Sequence, residues 1–239
     1  MRLIAWNANY NNRRHPFRDT VEILEPLCAD ILVLSEVAPP VDGDPRRVQR
    51  VGGVTPGLVV VARGGWELQA LPENNQAPSL AGAFRVRGAA DFFLVAAWPI
   101  QNKGGPSYHK TLMAILDCFG ETLKSGHAIL AGDLNSSSRV SSQKTTHPKF
   151  VEAAKVLGLA SAYHEQSGEG HGVETVATYP GRGGFHIDYC FVPQALAATA
   201  NVSVLGAGDW PTRSDHFPVV VDIPDRAFTQ PSPGRARSG

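Results

Sequence analysis

Five short segments of the sequence each place a carboxylate, an amide or an imidazole beside an apolar run. The segments are WNANY (Asn7, Asn9), LSEV (Glu36), AGDLN (Asp133, Asn135), HIDYCFV (Asp188) and SDHFPV (Asp215, His216). A charged group beside an apolar core loses hydration unless a partner or ligand replaces the water. Taken singly, each group has an ordinary explanation, because Asp-x-Asn after a strand is commonly a turn. Taken together, they predict one shared site, since loops at strand ends often carry binding and catalytic residues.

The residue types in these segments favour phosphate-ester chemistry. Carboxylate and amide oxygens are the hard ligands that Mg²⁺ or Mn²⁺ prefers. Zinc is the weaker prediction for this set, because no HExxH, HxH or CxxC motif is present. An imidazole next to a carboxylate, as in Asp215–His216, can act as a general base or stabilise developing charge. A cation, amides and an imidazole around one point predict metal-assisted hydrolysis of a phosphate ester.

The apolar pattern predicts many strands and few helices around these segments. Helical spacing of apolar residues predicts three helices, near Phe17, Tyr108 and Phe150. Residues 38–57, rich in Pro, Gly and Arg, predict a surface loop. The strand-like segments are RLIAWN, DILVLSEV, GLVVVA, WELQAL, GAFRVR, DFFLVAAW, HAILAGDLN, FHIDYCFV, SVLGAG and FPVVVDI. This mixture predicts an α/β fold in which helices cover sheets.

Composition places the chain among globular proteins and limits its class. Of 239 residues, 22 are basic and 22 acidic, so no global field indicates nucleic acid, although a local patch would suffice. Three distant cysteines predict buried, reduced thiols rather than disulfides. No signal peptide or apolar membrane span is evident, so we expect a soluble cytoplasmic protein. We expect one domain over 1–224 and a disordered tail over 225–239, which is polar and rich in proline.

In this order, the five segments resemble the signature segments of the endonuclease/exonuclease/phosphatase superfamily, which includes DNase I-like and exonuclease III-like enzymes. The match runs from Trp6 to about Ile223, nearly the whole chain. The resemblance implies a four-layer α/β/β/α sandwich, in which two mixed sheets are flanked by helices. It also implies an active site at one edge of the sandwich.

The resemblance implies a metal site for Mg²⁺ or Mn²⁺. Glu36 matches the family's main metal ligand, and Asn7 beside it is assigned as a further ligand and as a residue that stabilises the transition state. Asp215 matches a further ligand, either direct or through water. Whether one or two metals bind stays open.

The resemblance also implies roles in hydrolysis by in-line attack of water. Asp133 matches the residue that orients or deprotonates the water. Asn135 matches the amide that holds the nucleophile or a phosphate oxygen. His216 matches the imidazole that contacts the phosphate, and Asp188 matches its orienting partner.

The sequence departs from the family pattern at Trp98, where a His or Tyr usually contacts the phosphate or the leaving group. Trp has only one N–H to donate. Neighbouring residues of the following loop and helix start could take over, and Trp210 is placed to line the cleft. The candidate substrate contacts are Asn9, Trp98, Asn102, Lys103, Tyr108 and Trp210, with His109 and Lys110 as alternatives.

The leading prediction is a metal-dependent phosphodiesterase, an endonuclease or exonuclease acting on DNA or RNA. One alternative is a phosphatase or phosphodiesterase for a small phosphate ester or a lipid head group. A second is a binding module on the same fold that has lost catalysis. His164 and His171 could also bind a metal, but histidines in a polar loop usually have no such role.

Overall fold

The computed structural model describes residues 1–40, 43–72, 76–224 and 228. Two six-stranded sheets pack face to face, and helices cover their outer faces. The predicted fold class, two mixed sheets flanked by helices, is therefore confirmed. None of the helices in the described ranges has the length and apolar character that a bilayer crossing requires.

The first sheet is built around the N-terminal strand. Its order is β11-β12-β1-β2-β4-β3. Strands β1 and β2 are parallel, and their other neighbours run antiparallel. The strands are β1 (Arg2–Asn7), β2 (Ile31–Val37), β3 (Val48–Val51), β4 (Gly57–Ala62), β11 (Asn201–Val204) and β12 (Val219–Asp222).

The second sheet has the order β5-β6-β7-β8-β10-β9. Strands β7 and β8 are parallel, while β10 runs antiparallel to β8. The strands are β5 (Glu67–Ala70), β6 (Ala81–Arg87), β7 (Asp91–Ala97), β8 (Ala128–Asp133), β9 (Leu159–Ser161) and β10 (Asp188–Pro193).

The helices differ greatly in length, and the longest, of 16 residues, covers the second sheet. Ser107 caps its N-terminus by accepting a hydrogen bond from the Lys110 N–H. The helices are α1 (Tyr10–Arg13), α2 (Phe17–Ile23), α3 (Tyr108–Leu123), α4 (His147–Val156), α5 (Ala162–Ser167), α6 (Gln194–Ala197) and α7 (Trp210–Arg213).

Strand alternation explains why the central strands read as continuous apolar runs. On β1, Leu3 and Ala5 face the core between the sheets, whereas Ile4 and Trp6 face the outer layer beside α2. On β8, Ile129 enters the core between the sheets and Leu130 packs beneath α3 and α4. Both faces of these strands are buried, so both sets of alternating positions must be apolar.

The structure corrects three local predictions. Residues 38–57 are not all loop, because Val48–Val51 form edge strand β3 against β4. The strand predicted to include His186 begins only at Asp188. Cys190 alone is a buried thiol, since Cys118 is half-buried and Cys28 is exposed. The sequence prediction also missed the strand β9 and four short helices, α1, α5, α6 and α7.

Candidate active site

The five polar segments meet at one edge of the sandwich because of strand direction. Asn7, Glu36 and Asp133 lie at the carboxyl ends of β1, β2 and β8. Strands β10 and β12 run antiparallel to β8 and β1, so their starts lie at that same edge. Asp188 is paired directly with Asp133 across β10 and β8. The predicted site residues of both sheets are therefore brought together.

The Asn7 side chain joins the carboxylates of the two sheets. Its Nδ2 donates to Glu36 Oε1 at 3.2 Å and to Asp133 Oδ2 at 2.9 Å. The Asn9 N–H donates to Asn7 Oδ1 at 2.9 Å, which fixes the orientation of the amide. Nδ2 therefore faces the carboxylates, and this favours a positioning role for Asn7 over the predicted ligand role.

Backbone strain is concentrated at this edge. Five non-glycine residues of the described chain have positive φ, and three are Asn9, Glu36 and Asn135, with φ of 51°, 49° and 50°. Glu36 lies where the register of β2 against β4 shifts between Leu34 and Val37. Left-handed conformations are costly outside glycine, and they cluster where function requires them. At Glu36 the bulge turns the carboxylate out of the regular pleat.

Asp133 is a buried carboxylate held by three donors. The Asn135 N–H donates to Oδ1 at 3.0 Å, while Asn135 Nδ2 and Asn7 Nδ2 both reach Oδ2. Burial, with the nearby Asp188 charge, raises the pKa of Asp133 to about 7 against these hydrogen bonds. Burial likewise raises the pKa of Glu36, and the charges of Asp215 and Asp188 add to that shift.

His216 and Asp188 form a buried pair. Nδ1 of His216 lies 2.8 Å from Asp188 Oδ2, and both residues are at most 6% exposed. Burial alone would lower the pKa of His216, but the charge of Asp188 and its hydrogen bond outweigh burial and raise that pKa to about 10. The imidazole is therefore cationic at neutral pH, and its Nε2–H makes no hydrogen bond within the described residues.

Three residues that sequence analysis did not assign hold this pair in place. Thr178 Oγ1 accepts the N–H groups of Ile187 and Asp188, each at 3.0 Å. The Tyr179 ring lies 4.9 Å from the His216 ring. Ser214 Oγ donates to Asn7 O and accepts the His216 N–H. Of these three residues, only Ser214 could have been found from the sequence, because it belongs to the SDHFPV segment. Thr178 and Tyr179 lie in a loop in which apolar residues follow neither a helical nor a strand pattern.

Some of the remaining predicted residues lie near the carboxylates. The charge of Asp215 acts on both Glu36 and His216. Burial raises the pKa of Tyr108, and the charges of Asp133 and Glu36 add to that shift. Asn9 is buried and anchors Asn7.

The other predicted contacts lie farther from the carboxylates. Trp98 is 5% exposed and packs with the core between the sheets, and it also lines a surface cavity with Asn102 and Lys110. Lys103 is exposed in the adjacent loop. Trp210 packs edge-on against Trp6, with ring centroids 5.7 Å apart. Within the described part of the chain, none of the predicted contacts Trp98, Asn102, Lys103 and Trp210 hydrogen-bonds to the carboxylates of Glu36, Asp133 and Asp188.

The donor set suits a divalent cation. Asp188 Oδ1 is buried and has no hydrogen-bond partner within the described residues. Asp133, Asp188 and His216 each have a possible ligand atom within 4.8 Å of the other two. Glu36 is linked to Asp133 because Asn7 Nδ2 donates a hydrogen bond to both carboxylates. Several partly desolvated carboxylates at one point require a counter-charge. Asp188 Oδ2 and His216 Nδ1 are bonded to each other, which leaves Asp188 Oδ1 and the carboxylates of Glu36 and Asp215 as candidate ligands.

Comparison with known proteins establishes the fold. No protein-family model and no curated protein matches the chain. A 3′ phosphatase, NExo, from Neisseria, solved with product DNA hairpin, is 20% identical over 94% of this chain and 99% of its own, with a TM-score of 0.67. An AP endonuclease from Archaeoglobus fulgidus is 15% identical over 93% and 99%, with a TM-score of 0.66.

A structure described as an endonuclease/exonuclease/phosphatase, from Beutenbergia cavernae, is 17% identical over 93% of this chain and 71% of its own, with a TM-score of 0.58. Identities this low establish shared architecture and not shared activity. The chain therefore has the fold of endonuclease/exonuclease/phosphatase structures, and the predicted resemblance is confirmed at that level.

Proposed function

We propose that this protein is a divalent-metal-dependent phosphodiesterase that hydrolyses nucleic acid. The observation that carries the proposal is the junction at Asn7, which ties Glu36 and Asp133 together beside the His216–Asp188 pair. Two proteins of the same fold support the choice of substrate, since one was solved with product DNA hairpin and the other is an AP endonuclease.

Glu36 and Asp215 would hold Mg²⁺ or Mn²⁺ through their carboxylate oxygens, because such hard ions prefer oxygen ligands. The bound cation would offset charge on the phosphoryl and leaving oxygens. Asn7 keeps the Glu36 carboxylate in place by hydrogen bonding, and the bulge in β2 directs that carboxylate toward the cleft.

Asp133 is the group that orients the attacking water and accepts its proton. A pKa of about 7 gives Asp133 the basicity that a neutral-pH base needs, whereas an ordinary carboxylate is too weak. Three donors from Asn7 and Asn135 fix its rotamer, so the lone pair that receives the proton has a defined direction.

His216 stabilises the charge that develops on the phosphoryl group. Its cationic imidazole can donate from Nε2 to a phosphoryl oxygen while Nδ1 stays bonded to Asp188. The Asn135 Nδ2 donates to Asp133 Oδ2 and Pro99 O, both at 3.2 Å, so this amide positions Asp133 instead of contacting the phosphoryl group. The cavity beside Trp98, Asn102 and Lys110 offers an apolar wall and a cation to the rest of the substrate.

A cleavage assay tests the proposal. Single-stranded DNA, duplex DNA, abasic-site duplex and RNA would be offered with Mg²⁺, Mn²⁺ or EDTA, beside the Asp133→Asn variant. We expect cleavage that EDTA abolishes and that Asp133→Asn lowers about 10²-fold or more. Phosphate release from small esters or 3′ ends without chain cleavage would instead assign a phosphatase. Absence of both activities would contradict catalysis and leave a binding module.

A matched asparagine pair tests the Asn7 junction. Asn7→Ala removes the donor shared by Glu36 and Asp133, and we expect kcat to fall by about 10²-fold. Asn11→Ala, at an exposed position of α1, removes the same group away from the site and should leave kcat unchanged. Equal rates for the two variants would show that the junction does not contribute to catalysis.

A further inference from the structure

A second polar cluster lies outside the candidate active site. We call it the histidine cluster: His147, His164, His171, Glu174 and His186. His147 lies on α4 and His164 on α5, and the other three lie in the loop between α5 and β10. These residues are 9% exposed or less except His171, which is half-buried. Such a concentration of imidazoles around a buried carboxylate is not needed for the hydrolysis proposed above.

Three members of the histidine cluster bring ligand atoms together. One nitrogen each of His164 and His171 and one oxygen of Glu174 lie within 4.8 Å of one another. His164 Nε2 lies 3.2 Å from Glu174 Oε1. Bonds of about 2.0–2.1 Å in tetrahedral zinc sites place neighbouring ligand atoms about 3.3 Å apart. The His164–Glu174 separation already has that value.

Two polar atoms in the cluster have no partner within the described residues. Glu174 Oε2 is buried and makes no hydrogen bond, although Gly172 N and His164 Nε2 lie near Oε1. His186 Nδ1 faces Val176 O at 3.1 Å, so it must carry the hydrogen, because a carbonyl only accepts. Its Nε2 is then an unprotonated lone pair, also buried and without a partner. A cation bound by Glu174 would satisfy the buried Oε2 of that residue.

The second nitrogen of each ligand candidate is already held. Ser161 Oγ lies 2.8 Å from His164 Nδ1, and His147 Nε2 lies 3.0 Å from His171 Nδ1. Ser136 Oγ in turn contacts His147 Nδ1 at 2.8 Å. Metal-bound histidines typically have their other nitrogen fixed by such an outer partner. The arrangement leaves Nε2 of His164 and Nε2 of His171 as the ligand atoms.

A surface cavity gives access to the two histidines of the set. A surface cavity between α4, α5 and β9 is lined by both His164 and His171. His171 stands between Gly170 and Gly172, and Gly172 has a φ of 95°. The His164 and His171 rings stack with centroids 3.6 Å apart, so His171 must shift to bring both Nε2 atoms onto one ion while its Nδ1 keeps the contact with His147. A half-buried ring between two glycines can make that adjustment.

We propose that His164, His171 and Glu174 form a zinc site. Two imidazole nitrogens and one carboxylate oxygen suit Zn²⁺ or a similar transition metal, not Mg²⁺. The loop that these ligands would fix carries Thr178 and Tyr179, which contact Asp188 and His216. Bound zinc thus stabilises the segment that orients the catalytic pair. Without a metal, the same atoms would form a simple His164–Glu174 hydrogen bond.

Cobalt substitution tests the site in the full-length protein. After chelator treatment, Co²⁺ would be titrated in, and we expect about one equivalent to give the strong visible absorption of a four-coordinate ion, which Zn²⁺ then removes. Glu36→Gln should keep this absorption, because it changes only the active-site carboxylate. Glu174→Gln and His171→Ala should weaken Co²⁺ affinity about 100-fold or more. His15→Ala, outside the cluster, is the matched histidine control and should bind normally.

A second measurement uses the unaltered chain, so that the test does not depend on variants that fail to fold. Nitrogen NMR of the imidazoles should show that Zn²⁺ shifts the Nε2 resonances of His164 and His171, whereas Mg²⁺ does not. Absence of Co²⁺ absorption together with unshifted imidazole resonances would overturn the proposal and leave the hydrogen bond. Absorption that Glu174→Gln and His171→Ala both retain would also overturn it.

Discussion

At the residue scale, the environment assigns opposite roles to two neighbouring groups. Burial beside Asp188 raises the pKa of Asp133 to about 7, which makes it a base near neutrality. The pKa of His216 rises to about 10, because the Asp188 charge outweighs burial, and this keeps it a cationic donor. Groups whose pKa values are pushed apart by one site are typical of acid–base chemistry.

These shifts predict a bell-shaped pH profile for kcat/KM. Activity needs Asp133 ionised, so it should rise with pH up to about 7, and a bound cation would move this limb lower. Activity needs His216 protonated, so it should fall as pH rises through about 10. Initial rates across this range at fixed Mg²⁺ measure both limbs. A flat profile would contradict the roles of both groups.

The His216–Asp188 pair predicts coupled effects of mutation. His216→Ala and Asp188→Asn should each lower kcat/KM by about 10²–10⁴-fold, and the double variant should be little worse than the poorer single. In Asp188→Asn the alkaline limb should move to lower pH, since the Asp188 charge holds up the pKa of His216. Asp117→Asn, exposed on α3, is the matched control. If the fold-losses in kcat/KM of the two single variants multiply in the double variant, the two residues act independently.

At the element scale, the ends of β2 and β8 position the carboxylates of Glu36 and Asp133 at the site. The bulge of β2 turns Glu36 toward the cleft, and Gly132 precedes Asp133 at the end of β8. Gly132 has a φ of 139°, and a Cβ there would lie 2.1 Å from Ala97 O of the parallel neighbour β7. Only glycine lets the two strands approach this closely beside the site.

Gly132→Ala should therefore destabilise the protein by about 3 kcal/mol, through positive φ and a backbone clash. Gly126→Ala is the matched control, because Gly126 has a φ of 75° but open space around its Cβ position. We expect it to cost about 1 kcal/mol. Urea denaturation measures both free energies of unfolding. Equal losses would show that the approach to Ala97 does not constrain β8.

At the scale of the whole molecule, neither sheet contains a complete site. Glu36 lies on β2 of the first sheet, and His216 lies in the segment that leads into β12 of that sheet. Asp133 and Asp188 lie on β8 and β10 of the second sheet. Packing of the sheets is therefore a condition for the proposed catalysis.

The boundary between domain and tail at residue 224 stays a prediction, and most of 225–239 lies outside the described residues. Phe228, however, is 2% exposed and stacks on Phe92 of β7, with ring centroids 4.8 Å apart.

Phe228→Ala tests whether this C-terminal contact supports the sandwich. Loss of a buried aromatic ring should lower the free energy of unfolding by about 3 kcal/mol. Activity at low temperature should persist, because the ring packs in the core between the sheets and not at the catalytic edge. Val156→Ala, at a position 73% exposed, is the control and should change little. An unchanged stability would place the limit of the domain before Phe228.

Much of the sandwich could be predicted because its signals are local. The apolar runs in RLIAWN and HAILAGDLN are visible from neighbouring residues alone, and both segments form strands. Strand β3 was missed because VQRV lies in a segment rich in Pro, Gly and Arg, and its stability comes from pairing with β4. Helix α5 was missed because its six residues are too few for a clear helical period.

The sequence by itself determined the chemistry available at the candidate site, because residue type and position beside an apolar run are local properties. Tertiary structure decided which donors meet: Asn7 Nδ2 faces Glu36 and Asp133 only because β1, β2 and β8 end at one edge. It also supplied Thr178 and Tyr179 to the His216–Asp188 pair. The histidine cluster likewise exists only in the fold, since α4, α5 and a glycine-rich loop bring together residues that have no common sequence spacing.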